Sequence, residues 1–384
     1  MQVTQSVCGV FWQFDLAREM ESRGYLKRIY SSFPWRRLRR ENVSNERVST
    51  FPWFHAPWMV ATNSIRLPKP VVRNWALLNY ETFDAWVASR IEECDALVSL
   101  SGVGLKSGKV VQSRGGKYVC DRGSSHIRYQ DTILNEEYAR WGFPIQAVDP
   151  RVIEREEAEY LQADAVFVPS EFSRRSFIQM GISADKVKTI PYGVRLDRFE
   201  RTGEPAKDAF DVMFAGTVSL RKGIPYLLQA FQKLQHPRKR LRLAGPMELE
   251  ARRFLDRQNL DHVELLGKMP QSKLAEYMST SHVLVLPSVE DGFGLVMAQA
   301  MACGAVVVSS ENTGGPDLYE HGVEGFIVPI RNGDAIAARL QELADDPALH
   351  QRMSEAALAR VTTLGGWHDY GERCAQHLRQ LTRS

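Results

Sequence analysis

Short apolar runs alternate with longer amphipathic stretches along nearly the whole chain, which predicts βαβ units around parallel sheets. In the first half, strands are expected near Val3–Cys8, Ala96–Leu100, Lys117–Asp121, Ala165–Pro169 and Val187–Ile190. Helical periodicity lies between them at Phe14–Ser22, Trp75–Glu93, Val152–Ala163 and Glu171–Met180. Residues 31–74 are less regular, because Pro34, Pro52, Pro57, Pro68 and Pro70 interrupt any long element. The stretch Thr202–Asp208 is polar, carries Gly203 and Pro205, and has no periodicity, so it reads as a linker. A fresh series follows, with strands expected at Asp211–Gly216, Leu241–Gly245, Val263–Gly267, His282–Pro287, Ala305–Ser309 and Gly325–Pro329. The chain ends in helical patterns at Asp334–Thr362, broken at Pro347, and at Trp367–Thr382. No internal repeat or low-complexity tract is visible.

This pattern predicts an α/β protein of two Rossmann-like domains, over residues 1–200 and 201–365. A length of 384 residues agrees, since one hydrophobic core usually stops growing below that size. Hydrophobic content of 44% and charged content of 25% exclude disordered and fibrous classes. A net charge of +3 is too small to argue for nucleic acid as a partner. There is no apolar run of about 18 residues to span a bilayer. Met1-Gln2-Val3-Thr4 opens directly into a strand-like run, without the basic start and apolar stretch of a signal peptide. Five cysteines, odd in number and scattered, suggest neither a disulfide framework nor a zinc site. A reducing, cytoplasmic setting is therefore expected.

Ligands of open parallel sheets sit outside the carboxyl ends of strands, where loops turn into helices. The most unusual such loop runs from Pro287 through Glu290-Asp291-Gly292-Phe293-Gly294-Leu295 to Gly304. Its glycines allow a sharp turn and close backbone approach. A helix expected to start near Gly294 would offer unpaired amides to an anion such as a diphosphate, with Asp291 just before them and Gln299 one turn inside. A second loop carries Thr217 and the adjacent cations Arg221 and Lys222 before a helix opening at Ile224-Pro225. Two cations at a helix start suit a leaving group that gains negative charge. Alone, either loop could be a tight turn with solvated charges; together, on strand–turn–helix frames, they favour an anion site. Glu311–Asp317 forms a further strand-end loop that could simply turn the chain. His126 follows a Gly-Ser-Ser turn after the Lys117–Asp121 strand, and could be either packed or functional. Gly9 ends the first strand and could let an acceptor or a donor phosphate come close. The loop lacks G-x-G-x-x-G, which weakens a dinucleotide reading.

The combined pattern resembles the retaining glycosyltransferases of family four, which have the two-domain GT-B fold. The resemblance is carried by Ala163–Glu171, Lys188–Phe199, Arg221-Lys222-Gly223, and Gly292-Phe293-Gly294 with Ala300–Gly304. It implies that the last helix, over 366–384, returns to the first domain. It further implies that Arg221, Lys222 and the amides at Gly294-Leu295 bind the diphosphate of a donor sugar. Asp291, Gly292 and Phe293 would orient the sugar, Gln299 the ribose, Lys268 and Met269 the base through backbone groups, and His126 the sugar from the first domain. Two departures stand out. The family usually places glutamates where this chain has Asp291 and Gln299, and many relatives place an arginine where it has Thr217, a charge Arg221 could supply instead. Glu290 could also take the first acidic role, although the register favours Asp291.

The resemblance thus implies hexose transfer from a nucleotide-diphosphate sugar, with no cofactor and no metal, to a saccharide or lipid-linked acceptor in cell-surface polysaccharide or glycoconjugate synthesis. No Asp-x-Asp metal motif is visible. A UDP-hexose is favoured over a GDP-hexose because no side chain stands out as a reader of guanine. Pro34-Trp35-Arg36-Arg37-Leu38-Arg39-Arg40 mixes an aromatic ring with four arginines, which suits either a solvated face or peripheral contact with an anionic membrane. A non-catalytic nucleotide-sugar-binding protein and a sugar-nucleotide epimerase on the same fold remain the alternative readings. The absence of acid/base carboxylates from the matched loops counts against the epimerase.

Overall fold

The computed structural model describes residues 1–64, 67–195 and 197–383, so Leu196 of the Lys188–Phe199 stretch lies outside the described residues. Two parallel sheets form, each with helices on both faces. The first holds β1 Val3–Val7, β2 Leu26–Ser31, β3 Val48–Thr50, β4 Ala96–Leu100, β5 Lys117–Asp121, β6 Ala165–Val168 and β7 Val187–Thr189, in the order β3-β2-β1-β4-β5-β6-β7. The second holds β8 Phe210–Ala215, β9 Lys239–Ala244, β10 Val263–Gly267, β11 Val283–Leu286, β12 Val306–Ser310 and β13 Gly325–Val328, in the order β10-β9-β8-β11-β12-β13. Strands such as Val283-Leu-Val-Leu286 are buried along their whole length, as a sheet covered on both faces requires. In each sheet the order reverses once, between β1 and β4 and between β8 and β11. Those two switch points are where such sheets open a crevice for ligands.

Several elements depart from the pattern-based expectation. The strand β2 and the edge strand β3 were not expected. β2 carries Lys27 and Arg28, whose charges leave the strand to meet Glu92 at 3.7 and 3.0 Å, and β3 is three residues long. Helices at Leu105–Ser113 and Ile127–Arg140 were also not expected. The long helix begins at Lys69 rather than Trp75, because Pro70 sits in its first turn, where the missing N–H costs nothing.

The domains meet along the helix Ile127–Arg140. Its Glu137 has no exposed surface and accepts from Trp141 Nε1 at 2.7 Å, Tyr226 Oη at 2.8 Å and Arg331 Nε at 2.7 Å, the last two from the second domain. The Trp141 ring packs edge-on against Tyr226 and Phe254. The final helix, Trp367–Arg383, lies against Gln13–Ser22 of the first domain, where Glu372 meets Arg23 at 3.2 Å. Removing one partner of a buried ion pair strands the other, which typically costs about 3–5 kcal/mol. Glu137→Ala should therefore lower the free energy of unfolding by about that amount in a urea titration; a loss under ~1 kcal/mol would show that the contact is not stabilising.

Candidate functional site

The site is built at the β8/β11 switch point, from the two loops that leave those strands. They are tied together where the Val289 amide donates to the Arg221 carbonyl at 2.9 Å. The Arg221 guanidinium turns back onto the second loop, donating through Nε to the Glu290 carbonyl at 3.0 Å, with Nη2 2.8 Å from the Glu290 carboxylate. The Lys222 ammonium pairs with Asp291 Oδ2. Both cations thus face the crevice, each held by one of two neighbouring carboxylates.

Those carboxylates have different surroundings. Glu290 is completely buried and accepts from Ser124 Oγ at 2.6 Å, Ser125 Oγ at 2.7 Å, the Ser125 amide at 3.2 Å and Gln130 Nε2 at 3.0 Å, all from the first domain. Burial alone would raise its pKa, but Arg221 and the hydrogen bonds from Gln130, Ser124 and Ser125 outweigh burial and bring it down to about 2. Asp291 is half-buried and keeps its carboxylate on Lys222. Gly292 follows, and its carbonyl accepts from Ser170 Oγ of the first domain at 2.6 Å. A Cβ at Gly292 would collide with the Gly123 carbonyl, so only glycine lets the two backbones meet here.

Phe293 is buried, its ring 5.5 Å from Tyr192, which in turn lies 4.9 Å from Trp12. Its side chain therefore serves the domain contact. Gly294 takes a left-handed φ of 82°, and the helix begins at Val296, two residues later than the sequence predicts. The Gly294 and Leu295 amides belong to the turn before that helix and, among the described residues, donate to no protein acceptor. The Gln299 side chain, one turn further on and half-buried, makes no hydrogen bond among the described residues. Thr217 is half-buried beside the exposed Gly216 at the end of β8. Lys268 is exposed and Met269 partly buried at the end of β10, on the far edge of the same sheet. The Glu311–Asp317 loop braces the turn: the Asn312 carbonyl accepts from the Asp291 amide at 3.0 Å, and the Gly314 amide donates to Phe293 O at 2.8 Å.

His126 is not brought to this cluster. It caps the helix Ile127–Arg140, accepting through Nδ1 from the Arg128 amide at 3.2 Å, and its ring lies 5.0 Å from both Tyr160 and Phe177. Burial, its main perturbation, lowers its pKa to about 4, so the ring is neutral and packed. The Gly-Ser-Ser turn instead delivers its hydroxyls to the buried Glu290 carboxylate. Pattern reading missed Ser124, Ser125 and Gln130; the one available signal was the adjacent Ser pair at a strand end. It also missed Asp121 at the end of β5, which burial raises to about 7, against the hydrogen bonds from Trp12 Nε1 at 2.7 Å and Gln13 Nε2 at 2.9 Å. Gly9 lies on a separate first-domain cavity of about 360 Å³.

Arg36, Arg37, Arg39 and Arg40 are exposed around a buried Leu38. Among the described residues, no helix is long and apolar enough to cross a membrane. No group of three or more His, Cys, Asp or Glu side chains that could hold a metal ion is found among them either.

Two parallel-sheet α/β domains, with the loops that carry Arg221, Lys222 and Asp291 at a switch point, have the architecture of the GT-B fold. Residues 197–360 match the family described as Glycosyl transferases group 1. That match covers the second domain, and the curated relatives that resemble the chain are glycosyltransferases. A D-inositol 3-phosphate glycosyltransferase of Streptomyces avermitilis is 34% identical over 206 residues, covering 47% of this chain and 44% of that protein. The amylovoran biosynthesis glycosyltransferase AmsK of Erwinia amylovora is 26% identical over 234 residues, 58% of each chain. The chain thus spans about half the length of these curated relatives. Among solved structures, sucrose-phosphate synthase of Thermosynechococcus elongatus superposes with a TM-score of 0.72 at 22% identity, covering 99% of both chains. Anabaena HepE in complex with UDP-glucose gives 0.67 at 18% identity, covering 99% of this chain and 100% of that one. Both share the fold.

Gly292→Ala should push the Gly123 and Gly292 backbones apart, read as a larger radius of gyration in small-angle scattering; an unchanged radius with unchanged melting would refute the close approach. The lowered pKa of Glu290 has a defined sign. Its contribution to stability is complete above its ordinary value near 4.5 and is lost as pH falls toward 2. Glu290→Gln should flatten the fall of stability across that acid window, measured by denaturation at several pH values.

Proposed function

We propose that this chain is a retaining glycosyltransferase moving a hexose from a nucleotide-diphosphate sugar, UDP-hexose in preference to GDP-hexose, to a saccharide or lipid-linked acceptor. The carrying observation is the convergence of Lys222, Arg221 and the unpaired Gly294 and Leu295 amides on one side of the β8/β11 crevice. Fixed cations and amides aimed where charge develops are what a departing diphosphate needs, and they require no reorganisation as the bond breaks. Lys222 would bridge the diphosphate and Asp291, leaving the Asp291 carboxylate for sugar hydroxyls. Gln299 would accept from the ribose, and the backbone at Lys268-Met269 would meet the base. The acceptor oxygen attacks the anomeric carbon on the face the diphosphate leaves, the glycosidic C–O bond to phosphate breaks, and the acceptor proton passes to the departing phosphate oxygen. Anomeric configuration is kept.

Glycosyltransferase activity has support in the family match and in the names of the relatives, and a UDP-sugar donor in the HepE complex with UDP-glucose. AmsK, named for amylovoran biosynthesis, lends weight to a polysaccharide pathway. A cytoplasmic site of action, with the exposed arginines 36, 37, 39 and 40 resting on anionic lipid, completes the reading. One observation favours a second reading: the uncharged Gln299 gives a weaker ribose contact than a carboxylate would, as a non-catalytic binder could tolerate.

Mass analysis of the protein with UDP- and GDP-sugars separates the two readings, because only an enzyme releases free nucleotide. Lys222→Ala should cut turnover about 10²–10³-fold, the usual cost of one lost charge-stabilising donor. Turnover should be unaffected by EDTA. Binding of a nucleotide sugar without any nucleotide release would establish the binder instead.

A further inference from the structure

Next to the Glu137 contact, the two domains meet again through a phenol. Tyr138, on the helix Ile127–Arg140 of the first domain, is 8% exposed. Its Oη lies 3.2 Å from Glu248 Oε2 and 3.1 Å from Glu250 Oε1, at the start of the second-domain helix Leu249–Leu255. Glu248 is fixed to the loop after β8, because its amide donates to the Val218 carbonyl at 3.0 Å. One hydroxyl group therefore faces two carboxyl groups across the seam.

A phenol has a single proton to give, so it satisfies one carboxylate and meets the other with lone pairs. Two ionised carboxylates sharing one place also repel, and such a pair keeps a proton that a lone carboxylate would lose. Glu248 behaves accordingly. Burial, followed by the hydrogen bond and the charge of Glu250, raises it to about 7, against Tyr138 and the positive charge of Arg221. Burial and the same two glutamates raise the Tyr138 phenol as well, so its own proton stays in place. The other charges at hand are already matched: Glu137, beside Tyr138 on the helix, by Arg331, and Arg221 by Glu290. Glu248 is exposed and Glu250 half-buried, so the shared proton can exchange with solvent.

We propose that Tyr138, Glu248 and Glu250 form a proton-held latch between the two domains, firm while the carboxyl pair keeps one proton and loosened when both groups are ionised. Separating the domains returns Glu248 to water, where its ordinary value is near 4.5, so the closed arrangement binds the proton more tightly. The latch is at full strength below about 4.5, weakens as pH rises, and is lost above about 7. Glu290, held down to about 2, stays ionised across that range and contributes no slope to it. The latch itself is independent of the transferase reading; its control of access to the β8/β11 crevice rests on that reading.

The five cysteines are buried, so fluorophores attach selectively at Ser113→Cys and Gln258→Cys, two exposed positions, one in each domain. Single-molecule energy transfer on the full chain without ligand should show the ratio of closed to open molecules falling roughly tenfold or more from about pH 5.5 to about pH 8. Glu248→Gln and Glu250→Gln, which each leave a single carboxylate beside Tyr138, should confine the change to about threefold. A ratio indifferent to pH would overturn the proposal. So would an equal fall in the wild type and both variants, which would assign the proton to another raised carboxyl such as Asp121 or Asp317. A working latch in a chain that turns over no nucleotide sugar would sink the transferase reading alone.

Discussion

One buried charge organises the seam between the two domains. Glu290 belongs to the second domain and has no contact with water, so its carboxylate can remain ionised only if other groups replace the lost hydration. Arg221 supplies the counter-charge from its own domain, and Ser124, Ser125 and Gln130 supply donors from the other. Meeting that demand draws the β11 loop against the loop after β5. The backbone contact at Gly292, the aromatic series Trp12–Tyr192–Phe293, and the partial exposure of Asp291 all accompany it. Adjacent carboxylates divide the work, one closing the seam and the other left beside Lys222 in the crevice.

The parts of this architecture that were legible in the sequence are those whose burial is uniform. Val283–Leu286 and Val306–Ser310 lie in a sheet covered on both sides, so their apolar runs are unbroken and their limits fall within a residue or so of the expected ones. β2 escaped because Lys27 and Arg28, which reach out to Glu92, interrupt its apolar run. The helix Ile127–Arg140 escaped because its inward face includes Glu137, a charge that looks solvated until Tyr226 and Arg331 arrive from the second domain. The same limit explains the site. Arg221, Lys222, Asp291 and the Gly294–Leu295 turn lie on two loops with clear strand–helix frames, so their coming together at one switch point was legible. His126 does not reach the cluster because its ring packs inward on Tyr160 and Phe177, while the hydroxyls of the turn before it meet Glu290. Around the cavity at Gly9, His55 and Trp58 come from one helix and Asn79 from the next, both far from Gly9 in sequence, and no spacing rule joins them to it.

Charge is distributed unevenly between the crevice and the first-domain cavity. The Lys222–Asp291 and Arg221–Glu290 pairs lie at the β8/β11 switch point, whereas no Lys, Arg, Asp or Glu is among the described residues that line the cavity at β1. Gln299 adds no charge to the crevice, where Arg221 and Lys222 are each matched by a carboxylate, and its neutral amide would make a weaker contact to a hydroxyl than a carboxylate would.

The chain passes between the domains twice, once after β7 and once before the final helix. The two passages touch at Gly193, whose missing side chain admits the backbone of Gly366 and Trp367, and the Val194 amide donates to the Gly365 carbonyl at 3.4 Å. Covalent connections that run side by side constrain motion as a single door hinge does. Any swing of one lobe against the other would turn about that crossing, and loops lying farther from it would travel the longer arc.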